Sequence, residues 1–299
     1  MLNLYAKAAL YSPSKALLAN SELFLPDAKS RRSITLDVIN INKYNKLVAW
    51  DKSAGSLLHP NYIQVLSLPM QLEMMIRPPF PFKAMGLVHI ANSIQVNSLP
   101  VAYGDIDIST RFGNLYHHRR GIVFEVITEA VQEGEACVYA VSYYLARMGI
   151  NALNEYAVTL PAFNESLLLS TIETTQETVP YNGISDINFS HDAGREYAKV
   201  SGDYNPIHLW PLTAAIFGFK RAIIHGMYSK ALAFSKLYYL DRKTLSSGGF
   251  SLNTVFKAPI SLPQNTSLQT NTKGGFCLSS FNKDKSRQHI VGEIVTNIS

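Results

Sequence analysis

The sequence predicts an α+β protein whose chain runs twice through one order, a strand and helical material first and long antiparallel strands after them. Three observations carry this prediction. Strand-like segments with apolar and polar residues in alternation recur late in each half. A longer helical segment precedes each of these groups. Stretches rich in Gly, Pro and Asn separate the segments as turns do. At roughly 150 residues per domain, a chain of 299 residues has room for two such units.

In the first half, Leu4, Ala8 and Tyr11 give the N-terminal residues a short helical pattern. Ile34, Leu36 and Val38 then alternate with Ser33, Thr35 and Asp37, which predicts a strand over 33–39. After a mostly apolar stretch, a helix is predicted over 62–76, bounded by Pro60 and Pro78-Pro79. It places Leu66, Met70 and Glu73 or Met74 on successive turns, with a break expected at Pro69. Strands follow at 87–96, 101–112, 121–131 and 136–147, the last two joined as a hairpin at Glu133-Gly134.

Residues 151–180 have mixed polarity and no sustained period, so they are read as a linker between an N-terminal half at 1–150 and a C-terminal half at 181–299. The second half predicts a strand at 184–189, helices as far as 241, and strands at 250–257, 266–272, 276–281 and 288–297. Gly274-Gly275 supplies a tight hairpin. An antiparallel sheet with helices on one face buries only that face, so two such halves can join into one pseudo-symmetric body. This expectation rests on element order alone, because no sequence repeat relates the halves.

Composition narrows the function classes. With 47% hydrophobic and 16% charged residues the chain is not disordered, and it has apolar surplus for an interface or a tunnel. The charge is +5, with basic residues scattered apart from pairs such as Arg31-Arg32 and Arg119-Arg120. A field of that size steers any polyanion, so it does not single out nucleic acid. The 16 Tyr follow strand and helix periods and do not interleave with basic clusters, which argues against a nucleic-acid partner. The two cysteines, Cys137 and Cys277, exclude a disulfide framework and a thiolate metal cluster and fit a reducing compartment. No secretory leader pattern, no apolar run of the ~18 residues a membrane span needs and no peroxisomal tripeptide is present, so a soluble cytoplasmic protein is expected.

Chemistry concentrates between Ser190 and Ala233. Ser190 is placed to cap a helix with Ala193, Tyr197 and Val200 on its apolar face and Gly202 as a left-handed end. In Gly202-Asp203-Tyr204-Asn205-Pro206-Ile207-His208, Pro206 excludes helix and holds a rigid turn. An acid, an amide and a base within six positions can then share one cleft and hold a water molecule. Singly, each has an ordinary structural reading: Asp after Gly and Asn before Pro form turns, and a lone His is often a satisfied core group. Gly226, opening a helix after His225, offers an unobstructed N–H to an oxygen, or is simply a turn glycine. Met227, Ala231, Phe234 and Tyr238 give the helix that follows an apolar stripe for core packing.

The stretch YAKVSGDYNPIHLWPLTAAIFGFKRAIIHGM, residues 197–227, resembles the signature of the MaoC-like dehydratases, the (R)-specific enoyl-CoA hydratase group with a hot-dog fold. The resemblance implies Asp203 and His208 as the catalytic pair, Asn205 placing the water, and the Gly226 N–H binding the thioester oxygen. It also implies a double hot dog, each half a long antiparallel sheet wrapped around a helix. PNYIQVLSLPMQLEMMIRPPFPF leading into GLVHIANSIQV looks like the degenerate first half of such proteins, more loosely. Gly104-Asp105-Ile106-Asp107-Ile108 lacks the Asn, Pro and His, so one site per chain is expected, with the first half as wall and acyl pocket.

The implied substrate is an acyl thioester on CoA or on acyl carrier protein, hydrated or dehydrated with no metal and no other cofactor. Lys220 and Arg221 beside the motif are candidates for phosphate contacts, or a solvated turn. The chain is expected to be a pseudo-dimer in itself, with pairing of two chains into a homodimer left open. Two rivals stand beside this reading. Hot-dog folds also host thioesterases, which would not need the Asp-Asn-His trio. A non-catalytic acyl-binding or assembly protein would have no reason to retain all three.

Overall fold

A computed structural model describes residues 1–13, 23–50, 55–148, 160–169, 181–282 and 285–296. The first half runs α1 (Leu2–Leu10), β1 (Lys29–Thr35), α2 (Val38–Leu47), α3 (Tyr62–Met75), β2 (Val88–Val96), β3 (Asp105–His118), β4 (Gly121–Gln132) and β5 (Glu135–Arg147). The second runs β6 (Asn182–Phe189), α4 (Ala193–Ser201), α5 (Pro211–Ala215), α6 (Gly226–Leu240), α7 (Arg242–Leu245), β7 (Phe250–Phe256), β8 (Gln264–Thr270), β9 (Gly275–Asn282) and β10 (Lys285–Thr296).

The strands form one antiparallel ten-stranded sheet in the order β1-β3-β4-β5-β2-β7-β10-β9-β8-β6. Counted from either outer edge, each half shows its own first, third, fourth, fifth and second strand, so one topology occurs twice although the sequences hide it. The halves meet where β2 pairs with β7, with Ala91 opposite Val255 and Val96 opposite Phe250. The long helices α3 and α6 lie on one face and share a continuous apolar cluster that includes Ile63, Met70, Ile94, Phe234, Leu252 and Ile290. On the other face, Ala91, Val255, Cys277 and Val291 are covered by Leu168 and Leu169. Residues 160–169 of the predicted linker therefore cross the back of the sheet; 151–159 and 170–180 lie outside the described residues.

The predicted stripe Met227, Ala231, Phe234 and Tyr238 is buried, and so are Ser229, Lys230 and Ser235, because the first half packs against the remaining side of α6. The Trp50 and Tyr238 rings lie 4.5 Å apart, and the His59 Nε2 is 3.3 Å from the Ala231 carbonyl oxygen. Lys230 Nζ donates to the carbonyls of Asn92 and Leu252 at 3.1 and 3.2 Å and to the Asn92 side chain, tying α6 to both strands of the junction. Burial holds this amine well below the ordinary lysine pKa.

Several boundaries differ from the pattern. β1 ends at Thr35, because the Asp37 carboxylate accepts the Ile39 and Asn40 N–H groups at 2.9 and 3.2 Å and starts α2, a helix the alternation concealed. Val38 and Ile39 consequently face solvent. α3 runs unbroken through Pro69, where the ring forfeits only the bond its N–H would make to Val65 while Ile63, Met70, Met74 and Met75 bury the turns around it. α4 begins at Ala193 with Asp192 at its cap, and the Ser190 hydroxyl accepts the Asp192 N–H at 3.3 Å one step earlier. The hairpin at Glu133-Gly134 has φ of 53° and 84°, the paired positive values of a two-residue turn. No helix among the described residues is long and apolar enough to cross a membrane.

Candidate active site

The site begins where α4 ends. Gly202 closes the helix with φ 72°, the left-handed conformation its position predicts. The chain then folds back over α4, and a Cβ on Gly194 would sit 2.0 Å from the His208 carbonyl oxygen, so a residue with a side chain there would push the turn away. Arg195 fastens the same turn, its Nη1 donating to the Leu209 carbonyl at 2.9 Å. Pro206–His208 form a single 3₁₀ turn capped by Asn205, whose side-chain oxygen accepts the Ile207 N–H at 3.4 Å.

This turn brings Asp203, Asn205 and His208 to one cavity of about 220 Å³, which Gly226 also lines. Asp203, His208 and His225 each present a ligand-type atom, all within 4.8 Å of one another. The His208 Nδ1 donates to the Ile223 carbonyl at 2.8 Å, which leaves its Nε2 as the lone-pair nitrogen of the neutral ring. The His225 Nε2 donates to the Asp203 carbonyl at 3.0 Å and lies 3.9 Å from Asp203 Oδ2. The two imidazoles face each other with centroids 3.7 Å apart.

Burial, and then the neighbouring His225, push His208 down to about 3, against the pull of Asp203 and the Ile223 carbonyl. Burial also lowers His225. For Asp203, burial works upward, but His225, His208, the Tyr5 hydroxyl and the Asn205 N–H outweigh it and hold the carboxyl below its usual value. At neutral pH the site thus contains a carboxylate and two uncharged imidazoles. One further contact has no counterpart in the sequence reading: Tyr5, from α1, donates its hydroxyl to Asp203 Oδ1 at 2.5 Å. Tyr5 belongs to an ordinary amphipathic helix 198 residues away, and the helical pattern there, Leu4, Ala8 and Tyr11, does not include it.

Gly226 is the first residue of α6, so its N–H has no acceptor one turn earlier in the helix. The fifteen-residue helix behind it directs its positive end toward the cavity. The Phe256 ring packs so closely that a Cβ on Gly226 would lie 3.0 Å from it.

The first half supplies the opposite wall. Val65, Leu68, Leu72 and Met75 of α3 line it, along with a polar group in which the Tyr144 hydroxyl donates to Gln71 Oε1 at 3.0 Å and accepts from Gln64 Nε2 at 3.2 Å. The basic residues that reach the cavity are Arg120, Arg147 and Lys257. Lys220 and Arg221, the sequence candidates for phosphate contacts, are exposed and do not line it, because the chain turns inward only at Ala222. Asp105 of the incomplete first-half motif opens β3 and takes a 2.6 Å hydrogen bond from Thr35, away from the cavity.

Residues 170–292 match the MaoC like domain family. The 3-hydroxyacyl-thioester dehydratase X of Mycobacterium tuberculosis is 25% identical over 275 residues, covering 90% of both chains. The crystal structure of that organism's HtdX superposes with a TM-score of 0.71 at 21% identity, covering 90% of this chain and all of the other. A second M. tuberculosis protein, described as a double hot-dog fold, superposes with a TM-score of 0.59 at 10% identity, over 91% of this chain and 96% of its own. With the strand order repeated in the two halves and a long helix against each, these matches show a double hot-dog fold in which residues 170–292 match the MaoC like domain.

Proposed function

We propose that this protein reversibly hydrates 2-enoyl thioesters to (3R)-3-hydroxyacyl thioesters. The observation that carries the proposal is the convergence, in one cavity, of a carboxylate, an imidazole held neutral, and the unpaired N-terminus of α6. Asp203 and His208 hold water between them. One of the pair takes a proton as the water oxygen bonds Cβ, and the π electrons move onto the thioester oxygen. The pair then returns a proton to Cα, so the net change is one water added, and dehydration is the reverse.

Acid–base assistance of this kind is worth ~10² to 10⁴ in rate. The Gly226 N–H, at the positive end of α6, is placed to hold the enolate oxygen, a donor worth about 3 to 4 kcal/mol in comparable oxyanion holes. Asn205 orders the turn through its cap, and its side-chain nitrogen is assigned to the water. The 3R product follows the resemblance to the (R)-specific group, and the dehydratase relative supports the 3-hydroxyacyl thioester class.

The apolar wall of α3 is assigned to the acyl chain. Arg120, Arg147 and Lys257 are assigned to the phosphates of the carrier, CoA or the prosthetic group of acyl carrier protein. Burial and the like charges of Arg147 and Arg119 depress the Arg120 pKa, a cost that a bound phosphate would relieve.

The test is to incubate the purified protein with short and long trans-2-enoyl-CoAs and follow the conjugated double bond and free thiol in parallel. Loss of conjugation without thiol, giving the 3R alcohol, is expected. Thiol release would replace the assignment with a thioesterase. Silence in both, with CoA and with carrier-bound substrates, would replace it with an acyl-binding role.

A further inference from the structure

We propose that Tyr5 is a positioning residue of this site: its hydroxyl pins Oδ1 of Asp203, so that Oδ2 is the oxygen that takes the water. This inference rests on the hydratase reading above. Asp203 Oδ1 already receives two hydrogen bonds, from Tyr5 Oη at 2.5 Å and from the Asn205 N–H at 3.2 Å. With both directions of Oδ1 occupied, Oδ2 retains open lone pairs, at 3.9 Å from His225 Nε2. A carboxylate clamped at one oxygen cannot rotate to exchange the two, so it meets the substrate with a single defined face. Pre-organisation of this kind belongs to the chemical step more than to binding.

The helix that presents Tyr5 is fixed along its length. At one end Met1 lies against Gly202, where a Cβ would fall 2.7 Å from the Met1 Cγ. In the middle Ala8 is buried in the cluster of Phe80, Phe82 and Phe124. At the other end the Tyr11 hydroxyl donates to the Phe80 carbonyl at 2.5 Å. Tyr5 itself is 8% exposed and lines the cavity, so its ring is packed while its hydroxyl reaches the reacting centre. α1 lies outside the strand-and-helix repeat that forms the two halves, and it brings to the second half's site a group from the beginning of the chain.

The groups that face Asp203 are Tyr5 from α1, His89 from β2, Tyr144 from β5, Tyr197 from α4, His208 from the turn and His225 at the start of α6. Of these, Tyr5 donates directly to the side-chain carboxylate, as does the Asn205 backbone N–H. Removing the phenol favours the protonated acid, so the acid limb of kcat/KM moves to higher pH.

Tyr5→Phe keeps the ring and removes only the hydroxyl. The expected result is a kcat lowered roughly 10- to 100-fold, the range of a lost hydrogen bond to a charged group, with KM little changed and the acid limb displaced upward. In an Asp203→Asn background the same substitution should add little, since both act through one carboxylate. A wild-type kcat and pH profile in Tyr5→Phe would overturn the proposal while leaving the hydratase reading intact. An inactive wild-type protein would strike that reading instead. The Asp203 carboxylate stretch, titrated by infrared difference against Asp203→Asn, then decides the Tyr5 bond without turnover: an unchanged titration in Tyr5→Phe overturns it.

Discussion

The two halves of this protein build the same frame and use the same stretch of it in opposite ways. Between the helix after its first strand and its long helix, the first half runs from α2 to α3 and the second from α4 to α6. α2 and α4 lie against each other across the pseudo-symmetric body, with Asn40 Nδ2 donating to the Val200 carbonyl at 2.9 Å. After α4, a left-handed Gly202 leads to Asp203 and a polar turn that borders a cavity. After α2, a left-handed Ala49, φ 53°, leads to Trp50, whose ring packs 4.7 Å from His59 and whose Nε1 donates to the Leu57 carbonyl at 3.0 Å. A histidine precedes the long helix in both halves, but His59 is enclosed by Tyr44, Trp50 and Phe234 whereas His225 faces Asp203. One frame therefore yields either a plug or a site, according to whether an indole or a carboxylate follows the helix after the first strand.

Exchanging the roles of those two positions would break the comparison, and its largest effect falls on chemistry. Asp203→Asn should lower kcat for hydration ~10³-fold, near the middle of the acid–base range, with melting temperature close to wild type, because the amide still receives Tyr5 and Asn205. His208→Ala should behave alike, and near-native turnover in either variant would remove the pair from the mechanism. Trp50→Ala should do the reverse, costing about 3 to 5 kcal/mol of stability in denaturant unfolding while kcat of the folded fraction stays unchanged. A large kcat loss with an unaltered unfolding midpoint would show that the first half is more than a plug.

Acid sharpens the same contrast with a smaller effect. Burial holds His59 and His208 each at about 3, so native histidines in both halves stay neutral where the unfolded chain takes a proton below ~6.5. Unfolding therefore binds protons between these limits. The stabilisation is complete above ~6.5 and declines as pH falls toward 3. Thermal melts should drop progressively below about pH 6, and His59→Gln should flatten that decline without altering the pH profile of kcat/KM. Identical declines in the two proteins would mean that His59 is not among the groups responsible.

Much of the site was legible because its geometry is local. Gly202 ends α4, Pro206 keeps Asn205 from continuing it, and five positions join Asp203 to His208, so a single turn places the pair whatever surrounds it. The fold class was legible from element order, and the family from the contiguous motif. The sequence did not show what depends on distant partners. Tyr5 and the basic residues Arg120, Arg147 and Lys257 join the site only through folding: Tyr5 comes from α1, Arg147 from the end of β5, Arg120 from the turn before β4 and Lys257 from just past β7. The misplaced end of β1 had a different origin, since the alternation of Ile34, Leu36 and Val38 runs on past Asp37, where the chain has already turned into a helix. Burial of α6 on nearly every side likewise follows from a second half-molecule lying against it, which a single amphipathic stripe does not encode.

The smallest effect is expected at Gly226, where the two halves' helix starts differ by one side chain. α3 begins with Tyr62, buried against Tyr44, and needs no open N–H. α6 begins with Gly226, whose missing Cβ leaves its N–H open to the cavity and lets the Phe256 ring approach. In Gly226→Ala the new methyl meets that ring at 3.0 Å, closer than an ordinary contact, so Phe256 or the first turn of α6 must yield by a few tenths of an ångström. The donor stays in place chemically but shifts from the enolate oxygen, and kcat should fall about tenfold, less than a full ångström of misplacement would cause. Pairing the substitution with Phe256→Leu should relieve the crowding and restore most of the rate. If the pair is no faster than Gly226→Ala alone, the methyl obstructs the thioester oxygen directly and the ring is not involved.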